Sequence, residues 1–402
     1  MRAGRWWIMV WGIALIPAGC FEPRVFENTV ESADLVLSDS HPGDLTEIGE
    51  PGAPETRNPP EDAACVSDCQ HRDCGPDGCG GTCGTCPVGV PCDETWGACM
   101  PDGWVLVEPG GFSMGTPGPG GDRPPEAYRD EDEGPVHEVV FTHALLVSDH
   151  EVTDGEWEDV TRLSTPSYFS AQGPKPLCTE DSCPVSNVNW YEALQYCNLL
   201  SISEGLSPCY DLGDCTGTFG EGCGEEKVCY EGFVCQDAAL SGLDCEGYRL
   251  LTEAEWERVA RAGTTLAYAY PPPDGTENAP LECDCDLVDP LDDTAWYCGN
   301  ENGQTRPVRG KAPNAWGLYD MAGNLYEWTT DHYQQTFYFD LVEVGSPAQD
   351  PLCLTGDRRV HRGGSWGAYS RWCRAGNRND HDPDHRSRQI GFRVARTLTA
   401  PR

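Results

Sequence analysis

Twenty-three cysteines in a chain of 402 residues constrain the structure more than any other feature of the sequence. Thiols on this scale are rare inside cells, whereas an oxidising compartment converts them into disulfides. The chain also carries 27 basic and 66 acidic residues, a formal net charge of −39. A domain-wide basic face cannot be built from this composition, which argues against nucleic acid and anionic lipid surfaces as partners. The sequence therefore predicts an exported, disulfide-bonded protein.

Residues 1–20 have the layout of a bacterial lipoprotein signal. Basic residues precede an apolar run of about 12 residues, too short to span a bilayer, and small residues then lead to Cys20. Cys20 is predicted to carry the lipid and to be the chain's one attachment to a membrane, at the outer membrane or cell surface. Pro17 departs from the usual motif. An ordinary secreted protein and a buried core helix are the alternatives.

Two segments follow the signal. Residues 21–64 hold 11 acidic and 2 basic residues with six prolines, a composition that predicts a disordered tether because it cannot bury enough apolar surface to fold. Residues 65–100 contain eight cysteines between glycine-rich turns. So short a segment has little core, so cross-links must stabilise it, and four disulfides are predicted. A zinc module built on Cys83 and Cys86 is the alternative.

The rest of the chain is predicted to be one α+β domain over 101–398. Its 14 cysteines lie between 178 and 373, and the cysteine-rich stretch of about 205–247 is predicted to be a disulfide-braced surface insertion. A capping box at Thr252 predicts a helix over 253–262, and apolar spacing predicts others over about 190–203 and from about Asp154. Strands are expected over 104–107, 137–141, 145–148 and 391–395.

A series of motifs in this region resembles the formylglycine-generating enzyme (sulfatase-modifying factor) family. The resemblance implies a compact fold with little regular secondary structure and some kinship to C-type lectins. The motifs occur in the family's order and are Phe112–Gly115 (FSMG), Pro135–Val139 (PVHEV), Glu151–Thr153 (EVT), Pro184–Trp190 (PVSNVNW), Tyr248–Trp256 (YRLLTEAEW), Asn314–Trp328 (NAWGLYDMAGNLYEW), Arg362–Trp366 (RGGSW) and Ile390–Arg393 (IGFR).

The family's chemistry implies a copper site that this sequence lacks in part. Family enzymes oxidise a cysteine of a sulfatase with O₂ at Cu(I) held by two thiolates, a ligand type that suits this soft ion. At the two matching positions this chain has Ala368 and Cys373, while Ser365 is retained and Tyr326 replaces a tryptophan. Alanine cannot bind copper. The resemblance therefore predicts a domain without copper.

Three functions remain open on this reasoning. The preferred interpretation is a binding or structural module, or a member of unassigned activity, whose partner would be a protein or a glycan. The alternatives are a formylglycine-generating oxidase acting on a sulfatase peptide through Cys373 and Ser365, or another oxidation. Cys373 is expected to be half of a disulfide. His381 and His385 are interpreted as solvated turn residues, because Pro383 breaks any helix that would align them as iron ligands.

The family resemblance also implies a calcium site. The implied ligands are Asp320, the carbonyl oxygens of Gly323 and Leu325, and Glu327. Calcium prefers several oxygen ligands that mix carboxylates with carbonyls, and a glycine-containing turn directs successive carbonyls inward. The alternative is that Asp320 and Glu327 only cap turns.

Overall fold

The computed structural model of the chain describes residues 74–75, 82–86, 91–119, 126, 129–167, 178, 180–220, 232–269, 289–300, 303–345 and 347–398. The predicted signal, Cys20 and the tether lie outside these residues. No helix within the described residues is long and apolar enough to cross a membrane.

Short strands form five small sheets rather than one large one. The two central sheets have the strand orders β3-β6-β15-β9 and β13-β12-β10-β14, a third has the order β11-β5-β4, and β1-β2 and β7-β8 are two-stranded. The strands are β1 (Cys92–Asp93), β2 (Ala98–Cys99), β3 (Trp104–Val107), β4 (Gly110–Met114), β5 (His137–Phe141), β6 (Ala144–Ser148), β7 (Tyr210–Thr216), β8 (Val234–Leu240), β9 (Tyr248–Arg249), β10 (Tyr326–His332), β11 (Ala348–Gln349), β12 (Arg359–Arg362), β13 (Asn379–His381), β14 (Ile390–Gly391) and β15 (Ala395–Leu398).

The helices are also short, and three of them begin at capping boxes. Thr153, Asn189 and Thr252 each accept a hydrogen bond from the backbone amide three residues later, and the glutamate there accepts one in return. This exchange satisfies amides that the first helical turn leaves open. The helices are α1 (Asp154–Thr161), α2 (Trp190–Ser203), α3 (Glu253–Arg261), α4 (Asp289–Asp292) and α5 (Phe337–Val344).

These results confirm the mixed α+β class and the three predicted helices. The strand predicted over 391–395 is wrong as a single element. Residues 390–391 pair with β10, whereas Ala395 begins a strand that pairs with β6 in another sheet. Between them Phe392 and Val394 accept hydrogen bonds from Val152 and Ser148. The chain crosses from one sheet to the other here because both faces of the segment are buried.

Disulfides fix the two cysteine-rich regions. Cys74–Cys92 and Cys86–Cys99 join the first region, and Cys83 is also in a disulfide. The alternative of a zinc module at Cys83 and Cys86 is therefore wrong. In the predicted insertion, β7 and β8 form an antiparallel hairpin, which the bonds Cys209–Cys245 and Cys215–Cys235 close at its base and along its length.

The core is built around large aromatic side chains. Trp157, Trp190, Trp256 and Trp328 are all fully buried. Trp190 opens α2 and donates its indole N–H to the carbonyl of Thr329 on β10 at 2.8 Å. Helix α2 and strand β10 are thereby fixed to each other, and the candidate site lies on β10 and on the segments that precede β10 and follow β12.

Candidate functional site

Ser365, Ala368 and Cys373 lie together in the buried segment that follows β12. Ala368 is 2% exposed and its N–H donates to the Ser365 carbonyl at 2.9 Å. Residues 370–373 form a 3₁₀ turn that carries Cys373 back towards Gly364. A Cβ added at Gly364 would lie 2.5 Å from the sulfur of Cys373. The thiol is thus packed directly against the glycines of the RGGSW motif.

Cys373 is a free, buried thiol. The expectation that it forms a disulfide is wrong, because the sulfur faces a closed apolar cluster that includes Ala322 and Ala368. Burial raises the pKa of the Cys373 thiol to about 12. Its sulfur lies 3.7 Å from the carbonyl oxygen of Tyr369. Cys197 is a second buried free thiol, so the 14 domain cysteines are not all paired.

Among the described residues, Cys373 has no second free thiol next to Ala368. Cys298 packs against the same cluster, and its N–H donates to the Ala368 carbonyl at 3.1 Å. Cys298, however, is in a disulfide. A Cu(I) centre with two thiolate ligands does not fit this arrangement, because one position holds a methyl group and the nearby sulfur is oxidised.

Ser365 and Tyr326, the other positions matched to the family's site, border the same cluster. Ser365 Oγ donates to Oε1 of Gln389 at 2.7 Å. Tyr326 packs against the cluster that contains Cys373, and burial raises the pKa of its phenol. Both side chains are therefore uncharged at neutral pH.

Three of the four groups of the predicted calcium site lie on the turn that leads into β10, and Glu327 lies on β10 itself. Asp320, Gly323 and Asn324 all have positive φ angles. Gly323 is required at its position, because a Cβ there would lie 2.1 Å from the Trp296 carbonyl oxygen. Asp320 is buried, and its Oδ2 accepts a hydrogen bond from Arg309 N at 2.8 Å, whereas Oδ1 has no hydrogen-bond partner.

Glu327 is held differently from Asp320. Its two carboxylate oxygens accept hydrogen bonds from the Arg393 guanidinium at 2.6–2.9 Å, and Oε2 accepts another from the Trp256 indole at 2.7 Å. The unpaired oxygen of Asp320 therefore fits a cation, while Glu327 is already neutralised by an arginine. The calcium ligand set stays a prediction.

A third carboxylate, which the sequence reasoning missed, lies in the same region. Glu151 is fully buried and accepts hydrogen bonds from Asn324 Nδ2 at 2.6 Å and Leu325 N at 2.8 Å. Burial, with repulsion from Asp320 and Glu327, raises the pKa of Glu151 well above its ordinary value. Burial raises the pKa of Asp320 to about 6. Glu151 belongs to the EVT motif, which was the available signal.

The interpretation as turn residues is wrong for His381, which ends β13, whereas His385 lies in the turn that follows. Both are partly buried, with ring centroids 4.0 Å apart. His381 contacts His361 of β12, which is fully buried. No local pattern indicated this third histidine, because it lies 20 residues before His381 and the strand pairing brings them together.

A cleft of about 650 Å³ lies where the first cysteine-rich region meets the α+β domain. Trp104 and Tyr248 form part of its wall, with ring centroids 5.3 Å apart. The acidic residues Glu156, Asp159 and Glu204 also line it. It lies apart from the Cys373 cluster and shares no residue with it.

Comparison with known proteins matches residues 95–398 to the family described as "Sulfatase-modifying factor enzyme 1-like domain". "Chaperone protein LppX" of Paenibacillus barcinonensis is 27% identical over 255 residues, 59% of this chain and 74% of that protein. The "Formylglycine-generating enzyme" of Streptomyces coelicolor is 38% identical over 167 residues, 37% of this chain. The chain spans about half of that enzyme's length, 46%.

Two solved structures share both fold and sequence with this chain. "Treponema denticola variable protein 1" superposes with a TM-score of 0.54 at 28% identity, over 73% of this chain and 94% of that one. PvdO from Pseudomonas aeruginosa superposes with a TM-score of 0.52 at 27% identity, over 78% of this chain and 100% of that one.

Proposed function

Because the chain belongs to the family of sulfatase-modifying factor enzyme 1-like domains, we propose that it is a member without copper chemistry that serves as a binding domain. The observation that carries the proposal is the single thiol of the site. Cys373 is buried and free, and Ala368 occupies the other position of the family's thiolate pair. A thiol whose pKa is raised to about 12 stays protonated at neutral pH, so it is a poor ligand for a metal.

The ligand of such a domain is proposed to be a protein or a glycan. The cleft at Trp104 and Tyr248 supports this proposal, since the partly exposed ring of Trp104 offers a stacking face and the acidic side chains offer hydrogen-bond acceptors. This chain is similar to the proteins named LppX and variable protein 1 as well as to formylglycine-generating enzymes.

We propose that the protein is exported and anchored by lipid at Cys20, at the outer membrane or cell surface. The disulfides support export, because they persist only in an oxidising compartment. Labelling of cells with a palmitate analogue tests the anchor. Label should be incorporated into the wild type and lost in Cys20→Ser, and equal labelling of both would contradict the proposal.

Calcium is proposed as the resident metal of the turn that precedes β10. Glu151, Asp320 and Glu327 place three carboxylates in a buried region that contains the single guanidinium of Arg393. A divalent cation would neutralise the excess of negative charge that burial otherwise makes costly. The unpaired Oδ1 of Asp320 is the oxygen best disposed to bind it.

Cu(I) titration of three proteins tests the main proposal. The wild type and Cys373→Ser should both lack tight binding, whereas Ala368→Cys, which restores the thiolate pair, should gain one equivalent. Each protein is also incubated with a Cys-x-Pro-x-Arg peptide under O₂, and the peptide is examined by mass spectrometry. Tight binding of one Cu(I) by the wild type, together with conversion of the peptide thiol to an aldehyde, would overturn the proposal.

A formylglycine-generating oxidase is the second candidate. The free thiol of Cys373 and the retained Ser365 favour it, because a disulfide at Cys373 would have excluded it. The same titration separates the candidates, since this one requires peptide conversion by the wild type that is lost in Cys373→Ser.

A further inference from the structure

Three histidines form a contiguous group on one side of the β13-β12-β10-β14 sheet. His361 lies on β12 and His381 on the antiparallel neighbour β13, where the register sets His381 opposite Arg359. His361 and His381 are thus a diagonal pair, which share one face of the sheet. His385 follows in the turn after β13, and its ring lies against that of His381.

The turn that carries His385 is fixed by the backbone. His385 N donates to the Asp382 carbonyl at 2.9 Å, and Trp190 N at the start of α2 donates to the Pro383 carbonyl at 3.0 Å. The backbone that carries His385 is therefore fixed by hydrogen bonds. The position of the imidazole then depends only on the side-chain torsion angles of His385.

His361 is buried among aromatic rings, and one of its two ring nitrogens lacks a hydrogen-bond partner. The rings of Tyr326 and Trp328 meet it edge-on at centroid distances of 4.8 and 5.4 Å. Its Nε2 faces Nδ1 of His381 at 3.1 Å, and its Nδ1 has no hydrogen-bond partner. His381 Nδ1 also contacts the carbonyl oxygen of Asp380. Buried polar groups without partners are uncommon and require an explanation.

The separation of 3.1 Å between the two facing nitrogen atoms matches that of two ligands of one metal ion. With Zn–N bonds of about 2.0–2.1 Å, neighbouring nitrogens stand about 3.3 Å apart in a tetrahedral site and about 2.9 Å apart in an octahedral one. The nitrogens of all three rings do not yet converge on one point, since the only such convergent triple in the described residues is Cys74, Cys86 and Cys92, which are in disulfides. A rotation of the His385 side chain is needed to add the third.

Charged side chains of both signs surround the group. Arg358 pairs with Asp380 and with Asp382. Neutral imidazoles keep the lone pairs that a metal requires. Asp382 and Asp384 lie exposed on the turn and direct negative potential towards His385.

We propose that His361, His381 and His385 bind a divalent transition-metal ion that prefers imidazole ligands, such as Zn²⁺. Imidazole without sulfur selects this class of ion over Cu(I) and over calcium. The ion would enter from the side of His381 and His385, which are the partly exposed members, and would bind Nε2 of His361 and Nδ1 of His381, the two nitrogens that face each other. The site is separate from the Cys373 cluster and from the carboxylates near Asp320, and it does not depend on the proposed function.

Titration of the full chain with Zn²⁺, and with Co²⁺ as a spectroscopic probe, tests the site. The protein carries no histidine tag, and excess Ca²⁺ is present so that carboxylate sites are filled. We expect one equivalent of Zn²⁺, a visible Co²⁺ spectrum without thiolate charge-transfer bands, and a rise in Tm on metal addition. Affinity should fall at least tenfold in His381→Gln and in His385→Gln.

His332→Gln is the matched control, because His332 lies on β10 of the same sheet and its Nδ1 contacts the carbonyl oxygen of Gly356 instead of another histidine. It should bind Zn²⁺ as the wild type does. The two tested variants change partly exposed residues, and circular dichroism checks that each is folded. Absence of Zn²⁺ binding to the wild type, or unchanged affinity in folded His381→Gln, would overturn the proposal.

Discussion

Cys373 determines what chemistry the buried site can perform. A thiol with a pKa of about 12 is ionised in roughly one molecule in ten thousand at pH 8, and only the thiolate reacts or binds metal. The closed packing around Gly364 adds a steric barrier to the electrostatic one. Loss of its partner at Ala368 therefore changes more than the ligand count, since burial outweighs the stabilisation that the Ser365 backbone and the Arg374 charge give to a thiolate here.

We predict that Cys373 resists alkylation in the folded protein. Iodoacetamide at pH 8, without reductant, should leave Cys373 unmodified until denaturant is added, after which peptide mapping should find it labelled. Ser203→Cys, at an exposed position near the end of α2, serves as the control and should react in the native state. Labelling of native Cys373 at the control's rate, or a Cys373 peptide in disulfide linkage, would contradict the assignment.

Arg393 is the residue that compensates the buried carboxylates. Its guanidinium holds both oxygens of Glu327 and donates to the carbonyls of Ser148 and Tyr319. We predict that Arg393→Gln lowers the free energy of unfolding by about 3–5 kcal/mol, because it leaves buried negative charge without a partner. Urea unfolding measures this.

Arg162→Gln is the control for that measurement. Arg162 pairs with Asp159 at 3.8 Å, and both side chains are more than 80% exposed. Solvent screens such a pair, so the change should stay within about 0.5 kcal/mol. An equal decrease in the free energy of unfolding in Arg393→Gln and Arg162→Gln would contradict the role of Arg393 in neutralising the buried carboxylates.

Among the secondary-structure elements, helix α3 is buried on all sides. All nine of its residues are buried, so its charged side chains need partners on every side. Glu255 both closes the capping box with Thr252 and pairs with buried Arg249 at 2.7 Å. The ion pair with Arg249 and the hydrogen bond from His143 keep the pKa of Glu255 far below its ordinary value in spite of burial.

We predict that Thr252→Ala lowers the free energy of unfolding by about 1 kcal/mol, within a range of 0.5–2, through loss of the cap at Glu255 N. Thr336→Ala is the matched control, because Thr336 precedes α5 without a side-chain capping bond. Chemical denaturation should find the control nearly unchanged. A loss in Thr336→Ala as large as in Thr252→Ala would contradict the capping argument.

The elements that sequence reasoning found are those whose signals are local. Helices α1, α2 and α3 are set by caps and by apolar spacing within one segment, and the structure confirms them. Strand β12 and helix α5 were missed. The segment 391–395 was misread because the partners of its two ends, β10 and β6, are far away in sequence. Pairing with distant strands decides where such short strands begin and end.

In the candidate sites too, local motifs were found from the sequence, whereas contacts between distant segments were not. The motif alone located Ser365, Ala368 and Cys373, and their proximity is confirmed by the fold. The state of Cys373 could not be read from an even number of cysteines, because pairing depends on distance in space. His361 was not identified for a related reason, since a lone buried histidine on a strand gives no pattern in the sequence.

At the scale of the whole molecule, a net charge of −39 makes neutralisation a general requirement. Many charges are paired inside the domain, as with Arg374, which holds Glu126 and Glu133. The carboxylates near Asp320 remain an excess that arginine does not balance. Calcium would join the turn before β10 to the strands around it, so its effect should appear in the stability of the entire domain.

We predict that calcium binding and pH act on stability through Asp320. Its folded pKa of about 6 lies above the ordinary value of 3.8, so the folded state binds more protons between about pH 4 and 6. In chelator, stability should therefore fall as pH rises through this window, by at most about 1.4 kcal/mol per pH unit. Calcium favours the ionised carboxylate, so the rise in Tm that it causes should be larger at pH 7.5 than at pH 5.

Asp320→Asn should abolish the response to calcium and reduce the pH effect, because an amide has no proton to exchange and binds calcium more weakly. Other buried carboxyl groups with a raised pKa, such as Asp154, keep part of the pH dependence. Asp357→Asn is the control, since this carboxylate is exposed, and it should behave as the wild type with and without calcium. Differential scanning calorimetry of the three proteins in chelator and in calcium, at both pH values, gives the comparison. The prediction fails if chelator leaves the wild-type Tm unchanged at pH 7.5, or if Asp320→Asn keeps the wild-type response to calcium.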